Sequence, residues 1–124
     1  MGMGIVYTRG AAGISAPKVK VEVHLSNGLP SFKLVGLAET AVQEAKERVR
    51  SALINSGFEY PARRITVNLA PADIPKSGGR YDLAIALGIL IAMGLIEQSP
   101  VNHTEVAGEL SLNGDIRPVP GLLP

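Results

Sequence analysis

The chain has 124 residues, 46% hydrophobic and 19% charged, a composition typical of one folded domain with a single core. Its formal net charge is +1, so any surface basic enough to bind nucleic acid must be local. Cysteine is absent, which excludes disulfides and thiolate chemistry. No signal-peptide pattern is visible, and the longest apolar stretch, residues 83–96, is too short to cross a bilayer. We therefore expect a cytoplasmic protein with no membrane partner and a buried helix in that stretch.

The first part of the chain shows strand patterns. Residues 5–9 predict a short strand, and residues 19–25 alternate strictly between apolar and polar side chains, the period of a half-buried strand. Asn27 and Gly28 can adopt positive φ. The simplest interpretation is therefore a hairpin that joins residues 19–25 to a strand at residues 32–35.

A helical period follows these strands. Across residues 39–55, apolar side chains recur on one face at helical spacing, which predicts an amphipathic helix that Gly57 terminates. On its outer face Glu44 can pair with Arg48 at i,i+4.

The second half repeats the change from strand to helix and ends in strands. Residues 65–69 alternate as a strand, and residues 70–79 contain two Pro and two Gly, which predicts a loop. Asp82 is placed to cap the following apolar helix. Residues 106–112 and 116–119 predict a final hairpin. The fold class is therefore α/β (α+β), a two-layer mixed sheet with helices.

The loop before the second helix is the first candidate for binding. Lys76 and Arg80 flank Gly78 and Gly79 just ahead of a helix N-terminus, where backbone N–H groups and the helix dipole favour anions. A Walker nucleotide-binding loop is excluded because Lys76 precedes the glycines. The loop predicts either a contact with an anion or phosphate backbone, or a solvated segment with no ligand.

A second basic stretch is formed by Arg63 and Arg64. Lys46, Arg48 and Arg50 add cations on the first predicted helix. Nearby glutamates balance most of this charge, so sequence alone gives only weak support for nucleic-acid binding there.

No complete catalytic or metal site is predicted. His24 and His103 lie far apart in the sequence, without the ligand spacing of a metal site, and are expected to be surface histidines. The acidic residues form no clustered pair for general acid–base work, and Ser77 has no base in an obvious partner motif.

Several long phrases together resemble a known family. They are Val21–Pro30 (VEVHLSNGLP), Val35–Val42 (VGLAETAV), Ser51–Gly57 (SALINSG), Ile65–Asp73 (ITVNLAPAD) and Lys76–Leu83 (KSGGRYDL). In this order they resemble the N-terminal domain of the magnesium-chelatase-like AAA+ proteins of the ComM (YifB) competence family, which is chiefly bacterial. The resemblance covers essentially the whole chain.

The resemblance implies a domain order and an activity. Residues 1–124 would form one Lon-like N-terminal domain, and the AAA+ motor and C-terminal segment would lie outside this chain, with Pro124 at the junction. The resemblance further implies a hexameric, ATP-driven motor that acts on DNA, with branch migration during natural transformation as its role. ATP and magnesium would belong to the absent module, and no cofactor is expected in this chain.

The fold implied by the resemblance is similar to the proteolytic domain of Lon and to a ribosomal protein domain. Lon carries the motif Pro-Lys-Asp-Gly-Pro-Ser-Ala-Gly with its nucleophilic Ser. Pro75, Lys76 and Gly78 match that motif here, but Arg80 occupies the Ser position, and Leu123 occupies the position of the partner Lys. Without a hydroxyl nucleophile and an amine base, the dyad mechanism is not available. No catalytic residue is therefore predicted, and a residual peptidase is the least favoured interpretation.

The substitution of Arg for Ser leads to a binding hypothesis. Arg80 and Lys76, together with Arg63 and Arg64, are expected to contact the DNA backbone in the assembled hexamer. The competing interpretation is that Arg80 pairs with an aspartate, Asp73 or Asp82, and only fixes the loop. Two other functions stay open at this point, a structural oligomerisation module and a subunit of a magnesium-chelatase-type complex.

Overall fold

The computed structural model describes residues 2–10, 18–70 and 79–117. They form one four-stranded sheet, two α-helices, a short 3-10 helix and a small two-stranded sheet. The elements are β1 (Met3–Arg9), β2 (Lys18–Ser26), β3 (Ser31–Val35), α1 (Glu39–Asn55), β4 (Arg64–Ala70), α2 (Asp82–Ala92), the 3-10 helix (Ser99–Val101), β5 (Glu109–Leu110) and β6 (Ile116–Arg117).

The four-stranded sheet has the order β1-β2-β4-β3. β2 is antiparallel to both β1 and β4, so Val21 lies opposite Val6 on one side and Leu69 on the other. β3 pairs with β4 in parallel, and α1 makes the crossover between them. The fold class predicted from the sequence is confirmed as a mixed sheet with helices.

The predicted hairpin between residues 19–25 and 32–35 is wrong. Both edges of β2 are occupied by other strands, so β3 pairs at the far edge of β4 instead. Between β2 and β3 the chain passes through Gly28 at φ 144° and then Pro30. This connection carries the chain away from β2 rather than back along it.

Strand alternation places the core on one face of the sheet. The odd-numbered residues of β2 and β4 are buried beneath the two helices, and α1 contributes its predicted apolar face. This face of α1 consists of Val42, Ala45, Val49, Ala52 and Leu53. The opposite face of the sheet is partly or fully exposed, and β2 and β4 carry mainly polar side chains there.

α2 lies in the middle of this core. Nine of its residues are buried, which agrees with the prediction of a buried helix, although it ends at Ala92. The helix approaches the sheet closely through Gly88, since a Cβ built at Gly88 would lie 2.5 Å from Cγ2 of Val23. Among the described residues, no helix is both long and apolar enough to cross a membrane.

The free edge of β1 is covered by the segment that follows α2. The Gln98 side-chain amide donates to the Ile5 carbonyl over 2.7 Å, and its oxygen accepts from the Ile5 N–H over 2.8 Å. Val106 N–H then donates to the Tyr7 carbonyl over 2.9 Å. These bonds satisfy an edge that would otherwise offer unpaired backbone groups.

The final hairpin is confirmed where it is described. β5 and β6 pair antiparallel, with Leu110 opposite Ile116. Residues 118–119 of the predicted hairpin and residues 71–78 of the predicted loop lie outside the described part of the chain.

Candidate nucleic-acid interface

The adjacent residues Arg63 and Arg64 lie on opposite sides of the sheet. Arg64 begins β4, with Ser26 and Ser31 as its neighbours across the sheet, on the face opposite the buried Ile65. Arg63 precedes the strand and lies on the helix side instead, where it lines a groove together with Lys46 and Arg50 of α1. The predicted basic spot is therefore divided, and each arginine belongs to a different surface.

Arg63 lines a groove between α1, the start of β3 and the segment before β4. The groove has a volume of about 430 Å³. Lys46 and Arg50 of α1 lie at i,i+4, so they share one helix face and line the same groove. The described lining holds these three cations and no carboxylate. The groove is therefore a local positive site on a chain whose net charge is only +1.

Aromatic side chains form part of the same lining. Phe32 of β3 and Tyr60 are both partly exposed there. The Arg50 guanidinium carbon lies 5.7 Å from the centroid of the Tyr60 ring, within cation–π range. The groove thus combines cations with flat apolar faces.

The Tyr60 phenol remains protonated at neutral pH. Burial raises its pKa to about 12; the Arg50 charge lowers it and the nearby Glu47 charge raises it. Its hydroxyl is buried and has no hydrogen-bond partner among the described residues. Tyr60 therefore contributes to the groove chiefly through its ring.

The loop predicted to bind phosphate is described only at its end. Lys76 lies outside the described residues, as does Leu123. Arg80 is 4% exposed, and its Nη1 lies 3.5 Å from the Arg9 carbonyl oxygen. In this conformation the guanidinium is inside the protein rather than at a surface that a phosphate could reach. The DNA contact proposed for Arg80 and Lys76 stays a prediction.

Asp82 joins three elements through its carboxylate. Arg48 Nε donates to Oδ2 over 2.6 Å, Arg48 Nη2 lies 3.3 Å from Oδ1, and the Leu110 N–H donates to Oδ2 over 3.2 Å. The prediction that Asp82 caps α2 is wrong, because it is the first helical residue and its carboxylate bonds to Arg48 and Leu110. Arg48 accordingly forms its ion pair with Asp82, not with Glu44 as predicted.

The environment of Asp82 has opposing effects on its ionisation. Burial raises the pKa of the carboxyl above its usual value, whereas the hydrogen bond and charge of Arg48 lower it. Burial has the larger effect on the pKa, since the Asp82 side chain is only 1% exposed. The ion pair therefore offsets a desolvation cost at the centre of the fold.

The two histidines are exposed, as predicted. Within the described ranges, no group of three or more His, Asp or Glu residues could hold a metal ion. The aromatic part of the groove is not apparent from the sequence, because Phe32 and Tyr60 belong to separate elements. The cationic part of the groove does leave a signal in the sequence. Lys46 and Arg50 are spaced i,i+4, which places two cations on one helix face.

Comparison with known proteins gives the class of this chain. A family model described as subunit ChlI of Mg-chelatase matches residues 21–124. Because this match covers most of the sequence, the chain belongs to the magnesium-chelatase-like ChlI family.

Two individual relatives are similar to the chain over all or almost all of its length. The chain is 56% identical over its whole length to the competence protein ComM of Haemophilus influenzae, and 55% identical over 99% of its length to the uncharacterized protein YifB of Escherichia coli (strain K12). It spans 24% of the length of each of these proteins. The family recognised from sequence motifs is thereby confirmed.

A more distant relative supports the predicted fold. Over 86% of its length the chain is 27% identical to Lon protease 2 of Bacillus subtilis, of which it covers 21%. This similarity agrees with the Lon-like mixed sheet.

Proposed function

We propose that this chain is the non-catalytic, DNA-associated N-terminal domain of a hexameric, ATP-driven motor that acts in the cytoplasm, and that the motor's role is DNA branch migration during natural transformation. Its relatives are about four times longer, since the chain spans 24% of ComM and YifB. The proposal assigns residues 1–124 to one domain. It assigns ATP and magnesium to an AAA+ module elsewhere in the full-length protein.

The observation that carries the DNA assignment is the cationic groove. Lys46, Arg50 and Arg63 come from two separate elements and line one concavity without a carboxylate. Phosphate groups bind such clusters by charge and release counterions when they do so. The name of the Haemophilus influenzae relative, competence protein ComM, supports DNA as the polyanion.

The absence of proteolysis is proposed from the two positions of the Lon dyad. Arg80 stands where the nucleophilic Ser of Lon would be, and Leu123 stands where the Lys would be. Neither side chain can perform the corresponding step, because a guanidinium is not an oxygen nucleophile and an alkyl group accepts no proton.

The experiment compares full-length protein with a variant that carries Lys46→Ala, Arg50→Ala and Arg63→Ala. DNA affinity is measured across a salt series by fluorescence anisotropy. Each phosphate contact that is lost should reduce the slope of log affinity against log salt by about 0.7 to 0.9. Unchanged affinity and slope, in a variant that still assembles and hydrolyses ATP, would contradict the DNA assignment.

A second function, a structural module for ring assembly, is favoured by a different observation. The β5–β6 hairpin exposes Leu112 by 56% and Ile116 by 60%, and the β2–β3 connection exposes Leu29 by 86%. Substitution of Leu112 and Ile116 by Ser should lower the oligomeric state of the full-length protein under this alternative, and should leave it unchanged otherwise. The family description also admits a role in a magnesium-chelatase-type complex.

A further inference from the structure

We propose that the groove lined by Lys46, Arg50, Arg63, Phe32 and Tyr60 receives an unpaired nucleotide, so that the domain binds single-stranded nucleic acid in preference to duplex. This inference rests on the proposed DNA association and adds the strand state of the ligand.

The dimensions of the groove support a single nucleotide unit. A volume of about 430 Å³ lies toward the small end of pockets that hold compact organic ligands. A duplex presents its phosphates on a convex surface and keeps its bases stacked inside. A duplex could therefore contact only the cations at the edge of the groove. An unpaired nucleotide can place both its phosphate and its base inside the groove.

The aromatic lining distinguishes this groove from a simple cationic patch. Partly exposed rings such as Phe32 and Tyr60 can stack against a base face, which is accessible only when the base is unpaired. The Arg50 guanidinium, 5.7 Å from the centroid of the Tyr60 ring, offers a second planar group against which a base can stack. Every base has such a face, so we expect little dependence on sequence.

The cations are placed on two walls. Lys46 and Arg50 lie on α1, and Arg63 lies on the segment that enters β4. A nucleic-acid strand that crosses the groove would contact positive charge on both sides of the stacked base. This arrangement fits the strand, because a phosphate lies on each side of every base. Arg64 is excluded from this arrangement because it lies on the other face of the sheet.

The test uses the full-length protein with two probes of equal length, oligothymidylate and a mixed-sequence duplex. Tyr60→Leu removes the ring, and Tyr60→Phe is the matched control, because the hydroxyl forms no hydrogen bond with the described residues. We expect Tyr60→Leu to weaken oligothymidylate binding about fivefold or more and duplex binding less than about twofold. Tyr60→Phe should retain affinity for both probes.

A second variant keeps the test valid if Tyr60→Leu fails to fold. Arg50 is exposed, so Arg50→Gln should preserve the fold while it removes one cation and the stacked guanidinium. It should reduce the salt slope for oligothymidylate by about 0.7 and weaken oligothymidylate more than duplex.

The outcomes separate this inference from the function on which it rests. Equal losses for oligothymidylate and duplex would overturn the single-strand assignment and leave the DNA association intact. No loss for either probe in any groove variant would overturn both. Displacement of oligothymidylate by polyglutamate at a lower concentration than by unlabelled oligothymidylate would also overturn the inference, because it would identify an acidic peptide as the preferred ligand.

Discussion

Removal of Arg48 should destabilise the fold in a strongly pH-dependent manner. Arg48→Met keeps most of the aliphatic stem and deletes the guanidinium that pairs with Asp82 over 2.6 Å. The carboxylate, 1% exposed, would then retain only the N–H of Leu110 as a described partner. An unpaired buried charge of this kind costs about 3 to 5 kcal/mol.

Protonation of Asp82 sets an upper limit on that cost. An Asp in the unfolded chain has a pKa of about 3.9, and each pH unit above this value costs about 1.4 kcal/mol if the folded state keeps the carboxyl protonated. The penalty is therefore limited to about 4 kcal/mol at pH 7 and to about 1.5 kcal/mol at pH 5. Arg48 is itself 22% exposed, so some water can enter and the observed loss should lie somewhat below these limits.

The direction of the pH dependence follows from the raised pKa. A folded state that holds its proton more tightly than the unfolded chain loses stability as pH rises above the unfolded pKa. Burial already raises the pKa of Asp82 in the native protein, and removal of Arg48 should raise it further. The difference in stability between native chain and variant should therefore increase from pH 5 to pH 7.

The assay is urea unfolding of this chain and its variants, followed by circular dichroism at several pH values. Arg48→Met combined with Asp82→Asn is the matched control, because the Asn oxygen can still accept from Leu110 while no buried charge remains. The double variant should be more stable than Arg48→Met at pH 7. A loss below about 1 kcal/mol at pH 7, with no change toward pH 5, would refute the reasoning.

Three further predictions concern the helix–sheet contact and the loop before α2. Gly88→Ala should lower the free energy of unfolding by about 1 to 2 kcal/mol, because the new Cβ would lie 2.5 Å from Cγ2 of the buried Val23. Urea unfolding that shows a more stable variant would contradict this packing. Lys76→Ala with Arg80→Ala in the full-length protein should weaken DNA binding and reduce its salt slope, as the loop hypothesis requires, and unchanged binding would exclude it. Because Arg80 is 4% exposed, Arg80→Ala alone should also lower the thermal midpoint, whereas an unaltered midpoint would show that its burial contributes nothing to stability.

Local periodicity predicted the elements themselves well. α1 spans residues 39–55 as expected, since its apolar spacing defines one face and Gly57, at φ 90°, provides the left-handed residue that ends it. The alternation in β2 likewise identified its buried residues. These features depend on residues close together in the chain.

Pairing between distant segments could not be predicted in the same manner. Alternation shows which face of β3 is buried but not which strand lies beside it. The sequence therefore predicts a hairpin with β2, whereas the neighbour of β3 in the sheet is β4. Asp82 has the position of a helix cap in the sequence, yet its partner Arg48 lies 34 residues away. Such contacts become visible only when the helices are placed on the sheet.

The candidate site shows the same limit. Lys46 and Arg50 resembled an ordinary solvated helix face, and Arg63 and Arg64 resembled one basic spot. The fold brings Arg63 to the helix-side groove beside Tyr60 and leaves Arg64 on the opposite face. The different positions of these two neighbours depend on where β4 begins and on the packing of α1, which the local sequence does not show.

The most direct test of the cationic groove compares two single substitutions in full-length protein, Arg63→Ala and Arg64→Ala. The measurement is the salt dependence of affinity for single-stranded DNA. Both residues are exposed and carry the same charge, so a nonspecific loss of charge would affect them equally. We expect Arg63→Ala to reduce the slope by about 0.7 and Arg64→Ala to leave it unchanged. Equal effects, or a larger effect of Arg64→Ala, would contradict the assignment of DNA binding to this groove.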